Sequence, residues 1–305
     1  VVVPEGLEVD LPPLEVRVGG HPIPDARSLG AGHRLLEVAS GLAPTDVVLG
    51  LWSGGGSALA EVPSGGTSID EIVRETKDLL RRSAAIDVVN ARRQKLSAIK
   101  GGRLARASAA RFVNLVLSDV AGDDPALVAS GPAVLPGDGT VVVGRLHDAV
   151  EGARREAWAL RYATMVLDED MRGEASDAAL RIAGALRAIP AGPPMALLFA
   201  GEPTVTVRGQ GTGGRMQAMA LTLALALEGQ AWTVLCAGTD GRDGPTDAAG
   251  AVVDGDTCAR IRGAGLEPRA LLDDDDSHTA LRASGDLLIT GPTGTNVRDL
   301  VIALR

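Results

Sequence analysis

The sequence predicts an α/β protein, and three observations carry that prediction. Short aliphatic runs alternate with Ala-, Leu- and Arg-rich stretches along the chain, as expected of strands and helices layered on one another. Hydrophobic residues make up 45% of the 305 and aromatic residues only 2%, so a sizeable core is built from Val, Leu, Ile and Ala. A Pro/Gly-rich stretch, AIPAGPP at 188–194, reads as a linker and sets the expected domains at 1–190 and 195–305.

The elements follow in order. VVVPEG and LEVRVG read as strands, joined through the proline-stiffened HPIPD to a helix from Ser28 to Leu42 and then the strand DVVLGLW. After SGGGS, the stretch SIDEIVRETKDLLRRS reads as a helix with Ser68 as N-cap and Glu71 three residues on. VVNARRQKLSAI is a second helix, stopped at Gly101, and RFVNLVLSDV is a buried strand. From His147 to Ala188 helix surrounds one short strand, TMVLDE. MALLFAGEPTVTVRG is expected to be a pair of strands, followed by the helix RMQAMALTLALALEG. The strand WTVLCAGTD, the loop GRDGPTDAAGAVVDG, two helical stretches and the strand DLLITGPTG complete the expected order.

Charge narrows the function. The net charge is −9 and the pI about 5.0, with no basic tract and few aromatics, which argues against nucleic acid as a partner. Cys236 and Cys258 show no metal-ligand spacing, and His21, His33, His147 and His278 are scattered. The apolar runs fall short of a membrane span. The chain opens on VVVPEG without Met, so preceding sequence is expected to be missing. A cytoplasmic enzyme is the expectation.

Several segments carry chemistry. Ser53, Gly54, Gly55, Gly56 and Ser57 form a glycine loop after a strand; it is either a tight turn or a cradle of N–H groups for an anion. GQGTGG, ending on Gly213 and Gly214, satisfies G-x-G-x-x-G before a helix, with Asp240 at the end of the next strand. That fingerprint invites a dinucleotide, but the alternating TVTVR before it reads as an antiparallel strand with one wet face. Asp119, Asp123 and Asp124 leave the end of a buried strand, where carboxylates suit magnesium, a general base or plain turn chemistry. Asp240, Asp243 and Asp247 repeat the pattern, and the tract Asp273 to Asp276 reads as a solvated helix cap. On one helix, Arg93 and Lys100 are seven apart and share a face with Asn90 and Ser97, either as solvated surface or as a phosphate site. GPTGTN, with Thr293 and Asn296, is a further glycine/hydroxyl loop. Together these suit phosphoryl transfer with Mg²⁺.

SGGGSALA, N-x-x-R-x-x-L-S-x-I-K-G-G-R-L-A, SDVAGDDPALVASGP, TVTVRGQGTGGR, AGTDGRDGPTDAAGAVVDG and GDLLITGPTGTNVRDL resemble, in order, the glycerate 2-kinase family with its MOFRL C-terminal domain. The resemblance implies a Rossmann-like three-layer N-terminal α/β domain, a smaller mixed α/β C-terminal domain and an active site in the cleft between them. It implies ATP and Mg²⁺ as cofactors and D-glycerate as the substrate, phosphorylated to 2-phosphoglycerate, with a homodimer among the expected partners. Carried across, Arg215, Lys100 and Asp240 would be catalytic, Asp119 and Asp123 would hold metal, and Ser53 to Ser57, Asn90, Arg93, Gly213, Gly214, Thr293 and Asn296 would bind ATP or substrate. The alternatives are an NAD(P)H-dependent hydroxypyruvate reductase and a non-catalytic relative that binds nucleotide or a hydroxy acid. Two departures favour the last: family members carry a preceding Gly-x-Gly-Lys stretch that is expected and not found here, and Met216 and Ala218 stand where the family has Asn and Glu. Lys95 in place of a family His and a shorter 136–145 are further departures.

Overall fold

A computed structural model describes residues 1–7, 10–81, 86–190 and 192–305. The class is α/β, as the alternation predicts, and the chain divides into two compact units, Val1–Gly144 and Arg145–Arg305.

The first unit runs β1 (Val2–Pro4), β2 (Arg17–Gly19), α1 (Ala26–Ser40), β3 (Val47–Trp52), α2 (Gly56–Leu59), α3 (Ile69–Arg81), α4 (Ile86–Leu96), α5 (Arg103–Arg106), β4 (Arg111–Leu117) and β5 (Val141–Gly144). β1 and β2 pair in parallel, and β3, β4 and β5 form a parallel sheet in that order. α1 begins two residues before the expected Ser28, because Asp25 accepts the N–H groups of Arg27 and Ser28 while the Ser28 hydroxyl accepts the N–H of Asp25. Ser68 caps α3 as its spacing predicts, taking the N–H of Glu71 at 3.1 Å; Arg82 and Ser83 of the predicted helix lie outside the described residues. Side chains alternate across the sheet. Phe112 and Val116 of β4 are buried, while Val47, Leu49 and Leu51 of β3 and Val141 and Val143 of β5 are more than half exposed.

The second unit runs α6 (Leu146–Ala159), β6 (Ala163–Met171), α7 (Ala175–Ala188), β7 (Met195–Gly201), α8 (Arg215–Ala226), β8 (Thr233–Gly238), β9 (Gly250–Val253), α9 (Thr257–Gly263), α10 (Pro268–Asp273), α11 (Ser277–Ser284), β10 (Leu287–Leu288) and β11 (Asp299–Leu304). Its sheet has the order β10-β9-β8-β11-β7-β6. Period-two alternation sends Leu197 and Phe199 of β7, with Val301 and Ala303 of β11, against Ile182 and Leu186 of α7 and Met216 and Met219 of α8. The intervening Leu198, Ala200, Leu300 and Ile302 meet Leu146 and Val150 of α6 on the opposite face. Each face of these strands is therefore covered by helix.

Four expectations change. The boundary expected near residue 190 falls inside the second unit, because β6 pairs in parallel with β7 from Ala163↔Met195 to Met171↔Gly201. AIPAGPP is thus the turn of a βαβ crossover, with Ala191 outside the described residues. TVTVR (204–208) is not a strand. Its groups bond to carboxylates instead: Thr206 N–H donates to Glu174 at 3.2 Å and Arg208 N–H to Asp275 at 2.6 Å. The third change is β11, a central strand that the sequence reading passes over; it pairs antiparallel with both β7 and β8. β9 likewise arises inside a stretch expected to be loop.

The division makes a fragment prediction. Residues 145–305 should unfold as one cooperative transition in urea. Residues 195–305, which lose α7 and strip cover from Met216 and Met219, should not; a cooperative transition in the shorter fragment would restore the boundary near residue 190.

Candidate active site

In the first unit the glycine loop follows β3 and enters α2 through Gly55, left-handed at φ +81. A Cβ at Gly54 would sit 1.8 Å from the Asp119 carboxylate, one at Gly55 3.1 Å from His21 Nε2, and one at Gly56 2.8 Å from the Ala129 side chain. The glycines are required because three groups close on the loop. The Ser57 hydroxyl is buried and bonds that of Ser130, which donates to Asn90 Oδ1 at 3.1 Å. Ser53 remains exposed.

The basic segment separates into two roles. α4 ends at Leu96, so Lys100 does not continue a helix face with Asn90 and Arg93; it lies in the turn that follows. Lys100 is 1% exposed and pairs with Glu61, equally buried. Burial lowers the Lys100 pKa against the opposing pull of Glu61. Arg93 is half-buried and makes no ion pair among the described residues, though Glu61 acts on it electrostatically. Burial also lowers the His21 pKa, with the Arg93 charge adding to it. Asp123, at φ +55, accepts the Ser118 hydroxyl at 2.7 Å. Among the described residues no group of three or more His, Cys, Asp or Glu is placed to hold a metal.

In the second unit the G-x-G-x-x-G loop does not present its N–H groups to a pyrophosphate. Arg208 and Gly209 donate to Asp275, Gln210 to Asp274 Oδ1 at 3.0 Å, Gly211 to the Asp274 carbonyl and Thr212 to Asp276. The acidic tract, read as a solvated cap, is the clamp of this loop. Gly213 and Gly214 are glycines because Ser277 and Asp243 crowd them, at 2.3 Å from either missing Cβ.

Asp243, grouped from sequence with Asp240 and Asp247 as carboxylates after a strand, caps α8. It is 3% exposed and accepts the N–H groups of Met216 and Gln217 at 3.1 and 2.8 Å. Met216, one of the departures from the family pattern, points its side chain into the core, so that change is one of packing. Arg215 opens α8. Its Nη2 donates to Asp299 Oδ1 at 3.2 Å, its Nε lies 2.7 Å from Oδ2 in an ion pair without hydrogen-bond alignment, and its Nη1 reaches Glu202 at 3.2 Å. Burial opposes the Arg215 charge, and Asp299 and Glu202 more than offset it. Asp299 is itself buried, which raises its pKa to about 7 despite Arg215.

The loop that carries Thr293 and Asn296 bonds to the Thr239–Asp240 turn through Thr293. Thr293 N–H donates to the Asp240 carbonyl at 3.1 Å, the Thr293 hydroxyl to the Thr239 carbonyl at 2.6 Å, and Asn296 Oδ1 accepts the Arg298 N–H at 3.0 Å. Sequence reasoning missed His21, Glu61, Ser130, Glu202, Arg298 and Asp299. The pair Arg298–Asp299 had a signal, two charges directly before the apolar LVIAL, where a strand end meets the loop face.

Asp299 yields a pH prediction. Its folded pKa lies above its unfolded value, so the folded chain holds a proton that the unfolded chain has released. The contribution is greatest in acid and is lost as pH rises toward and through about 7. Relative to Asp299→Asn, the wild type should lose unfolding free energy between pH 5 and 8; a difference independent of pH would show that the carboxylate does not titrate there.

Residues 1–147 match the domain family described as a domain of unknown function, DUF4147, and residues 195–299 match the MOFRL family. The chain is 40% identical over 332 residues to the D-glycerate 2-kinase of Thermotoga maritima, covering 95% of this chain and 80% of that one. It is 33% identical over 350 residues to the glycerate 2-kinase of Pyrococcus horikoshii, covering 98% and 80%. The crystal structure of a glycerate kinase from Thermotoga maritima superimposes with a TM-score of 0.90 at 38% identity, over 99% of this chain and 84% of that one. The chain therefore belongs to the glycerate kinase family.

Proposed function

We propose that the protein phosphorylates D-glycerate at its 2-hydroxyl from ATP with Mg²⁺, giving 2-phosphoglycerate and ADP. The observation that carries this reading is the commitment of the G-x-G-x-x-G N–H groups to Asp274–Asp276. The loop has no row of donors left for a nicotinamide dinucleotide, and the likeness to glycerate kinases then selects among the remaining chemistries.

In the reaction the 2-hydroxyl oxygen forms a bond to the γ-phosphorus, the bond to the bridging oxygen breaks, and the hydroxyl proton leaves. Asp240 is the group we assign to orient that hydroxyl and accept its proton. One Asp240 carboxylate oxygen takes the Arg242 N–H at 3.0 Å. Arg215 carries charge stabilisation, its guanidinium pre-set by Asp299. Arg93 is assigned the ATP or substrate anion, as the resemblance implies, without help from Lys100, whose charge is committed to Glu61. We assign Ser53 and Gly54 to Gly56 to the same site, because His21 lies against Gly55 and feels the Arg93 charge. The buried Ser57 and Asn90 support it through Ser130.

Mg²⁺ binds through one or two carboxylates together with phosphate oxygens and water. The lack of a larger acidic cluster among the described residues fits that pattern. Asp119 and Asp123 are the residues we assign to hold the ion, which when bound neutralises charge on the phosphates. Thr293 and Asn296 line the loop beside Asp240.

A coupled assay with D-glycerate, ATP and Mg²⁺ tests the reading. Wild type should form 2-phosphoglycerate, and Arg215→Ala should lower kcat by about 10²–10³-fold, the usual loss for a transition-state donor. NADH oxidation with hydroxypyruvate, in place of this turnover, would establish the reductase.

We also propose that the protein is a homodimer in solution through the open face of β3 and β5. Parallel sheets are ordinarily covered on both faces, and Leu49 and Leu51 stand 59% and 69% exposed. In sedimentation velocity the double variant Leu49→Lys/Leu51→Lys should shift a dimer to monomer. A wild type that runs at monomer mass refutes the dimer.

A further inference from the structure

We propose that Arg298 binds an oxyanion, a carboxylate or a phosphoryl group, beside the loop that carries Thr293 and Asn296. The identity of that anion rests on the kinase reading above. Arg298 is 7% exposed, and its Nε is sealed from solvent with no hydrogen-bond partner. Its guanidinium forms no ion pair or hydrogen bond with any other described residue. Arg305 of the same unit has a sealed Nε too, but its Nη groups donate to the Ile189 and Pro190 carbonyls. Arg215 and Arg260 meet carboxylates, Arg260 with Asp254 and Asp286 at 3.0 and 2.7 Å. Asp299, the neighbour in sequence, is already engaged by Arg215. A buried guanidinium N–H without an acceptor is costly, and such donors are ordinarily paired.

The backbone adds a second, independent cost. Arg298 sits at φ +75, the left-handed region that disfavours a residue with a Cβ. Its carbonyl accepts the Thr239 N–H at 3.0 Å and the Thr239 hydroxyl at 2.7 Å, and its own N–H donates to Asn296 Oδ1 at 3.0 Å. Thr239 Oγ1 also takes the Val297 N–H at 2.8 Å. These bonds over-determine the conformation, the condition under which strain persists at ligand sites. They also tie Arg298 to the two loops that hold Asp240, Thr293 and Asn296. Glycine would adopt the same backbone freely and bury no charge. An arginine kept against both costs is explained by an anion that completes it.

Arg298→Gly removes the strain and the charge together, so it separates structure from binding. Its melting temperature should rise, by about 2–4 °C for each kcal/mol relieved in a domain of this size, while its Kd for the anion rises at least tenfold. Arg298→Lys should fall between Arg298→Gly and wild type in affinity. Calorimetric titrations with D-glycerate and with ATP–Mg²⁺ separate the sources: loss confined to D-glycerate assigns the carboxylate, and loss confined to ATP assigns a phosphoryl group. Equal affinity of wild type and Arg298→Gly for both ligands overturns the proposal, as does a wild type that binds neither. Binding is read without turnover. A chain that binds through Arg298 but does not phosphorylate would therefore refute the kinase reading and leave this one standing.

Discussion

The second unit is organised around one buried carboxylate. Asp243 takes the first free N–H groups of α8 and the side-chain amide of Gln217 at 3.0 Å. That bond fixes the amide orientation, so Gln217 Oε1 is left to accept, and it lies 2.8 Å from His278 Nδ1 on α11. The imidazole therefore carries its proton on Nδ1. Helix α8, the 239–249 loop and α11 are locked by a single chain of hydrogen bonds. Burial raises the Asp243 pKa, and the bonds from Gln217 and Met216 pull against that rise. A carboxylate this deep is tolerated because each oxygen meets donors held in place by a helix. Arg215 is the first residue of that helix, so its position is inherited from the same cap.

Close approach is the second constraint, and it explains the glycines better than flexibility does. Gly214 and Gly244 let the Asp243 loop touch the start of α8, and Gly209 and Gly211 let the acidic tract close on its partner loop. In the first unit Gly54 admits the Asp119 carboxylate in the same way. A glycine-rich motif is therefore ambiguous on its own. The same spacing serves a ligand's phosphate or a protein's own carboxylate, and only the destination of the N–H groups decides between them.

This bears on what the sequence disclosed. Elements with strong local signals were legible: the Ser68 cap of α3, the aliphatic runs of β3, β4, β7 and β8, and the apolar length of α8. The motif order was legible too, and with it the family. β11 was not, because six residues after a glycine loop at the end of the chain look like a tail until β7 and β8 supply their hydrogen bonds. Pairing is a tertiary property. The shared helix face of Arg93 and Lys100 failed for a related reason: period alone extended α4 past Leu96, whereas the following turn sends Lys100 to Glu61. The contact of Thr293 with Asp240 follows from both lying in loops after strands, where open α/β sheets gather their functional groups.

A chain of net charge −9 that handles anions must place its positive charge locally. Proximity to a carboxylate separates its cations by role. Lys100 is neutralised in the core by Glu61, so it stabilises the turn around it. Arg215 is shared between a buried carboxylate, Asp299, and a half-exposed one, Glu202, at 3% and 49% exposure. The buried partner fixes the guanidinium, while the exposed one is held by a water-screened contact. Arg93 and Arg298 lack an ion-pair partner among the described residues. Burial without a partner raises the free energy of the empty state, and that free energy is recovered when an oxyanion arrives. The cations that are costliest to the folded chain are therefore the ones best placed to recognise a ligand. By this argument the lysine of the basic motif is held by its own carboxylate, and we assign recognition to Arg93 of the same motif and to Arg298, which the sequence did not single out.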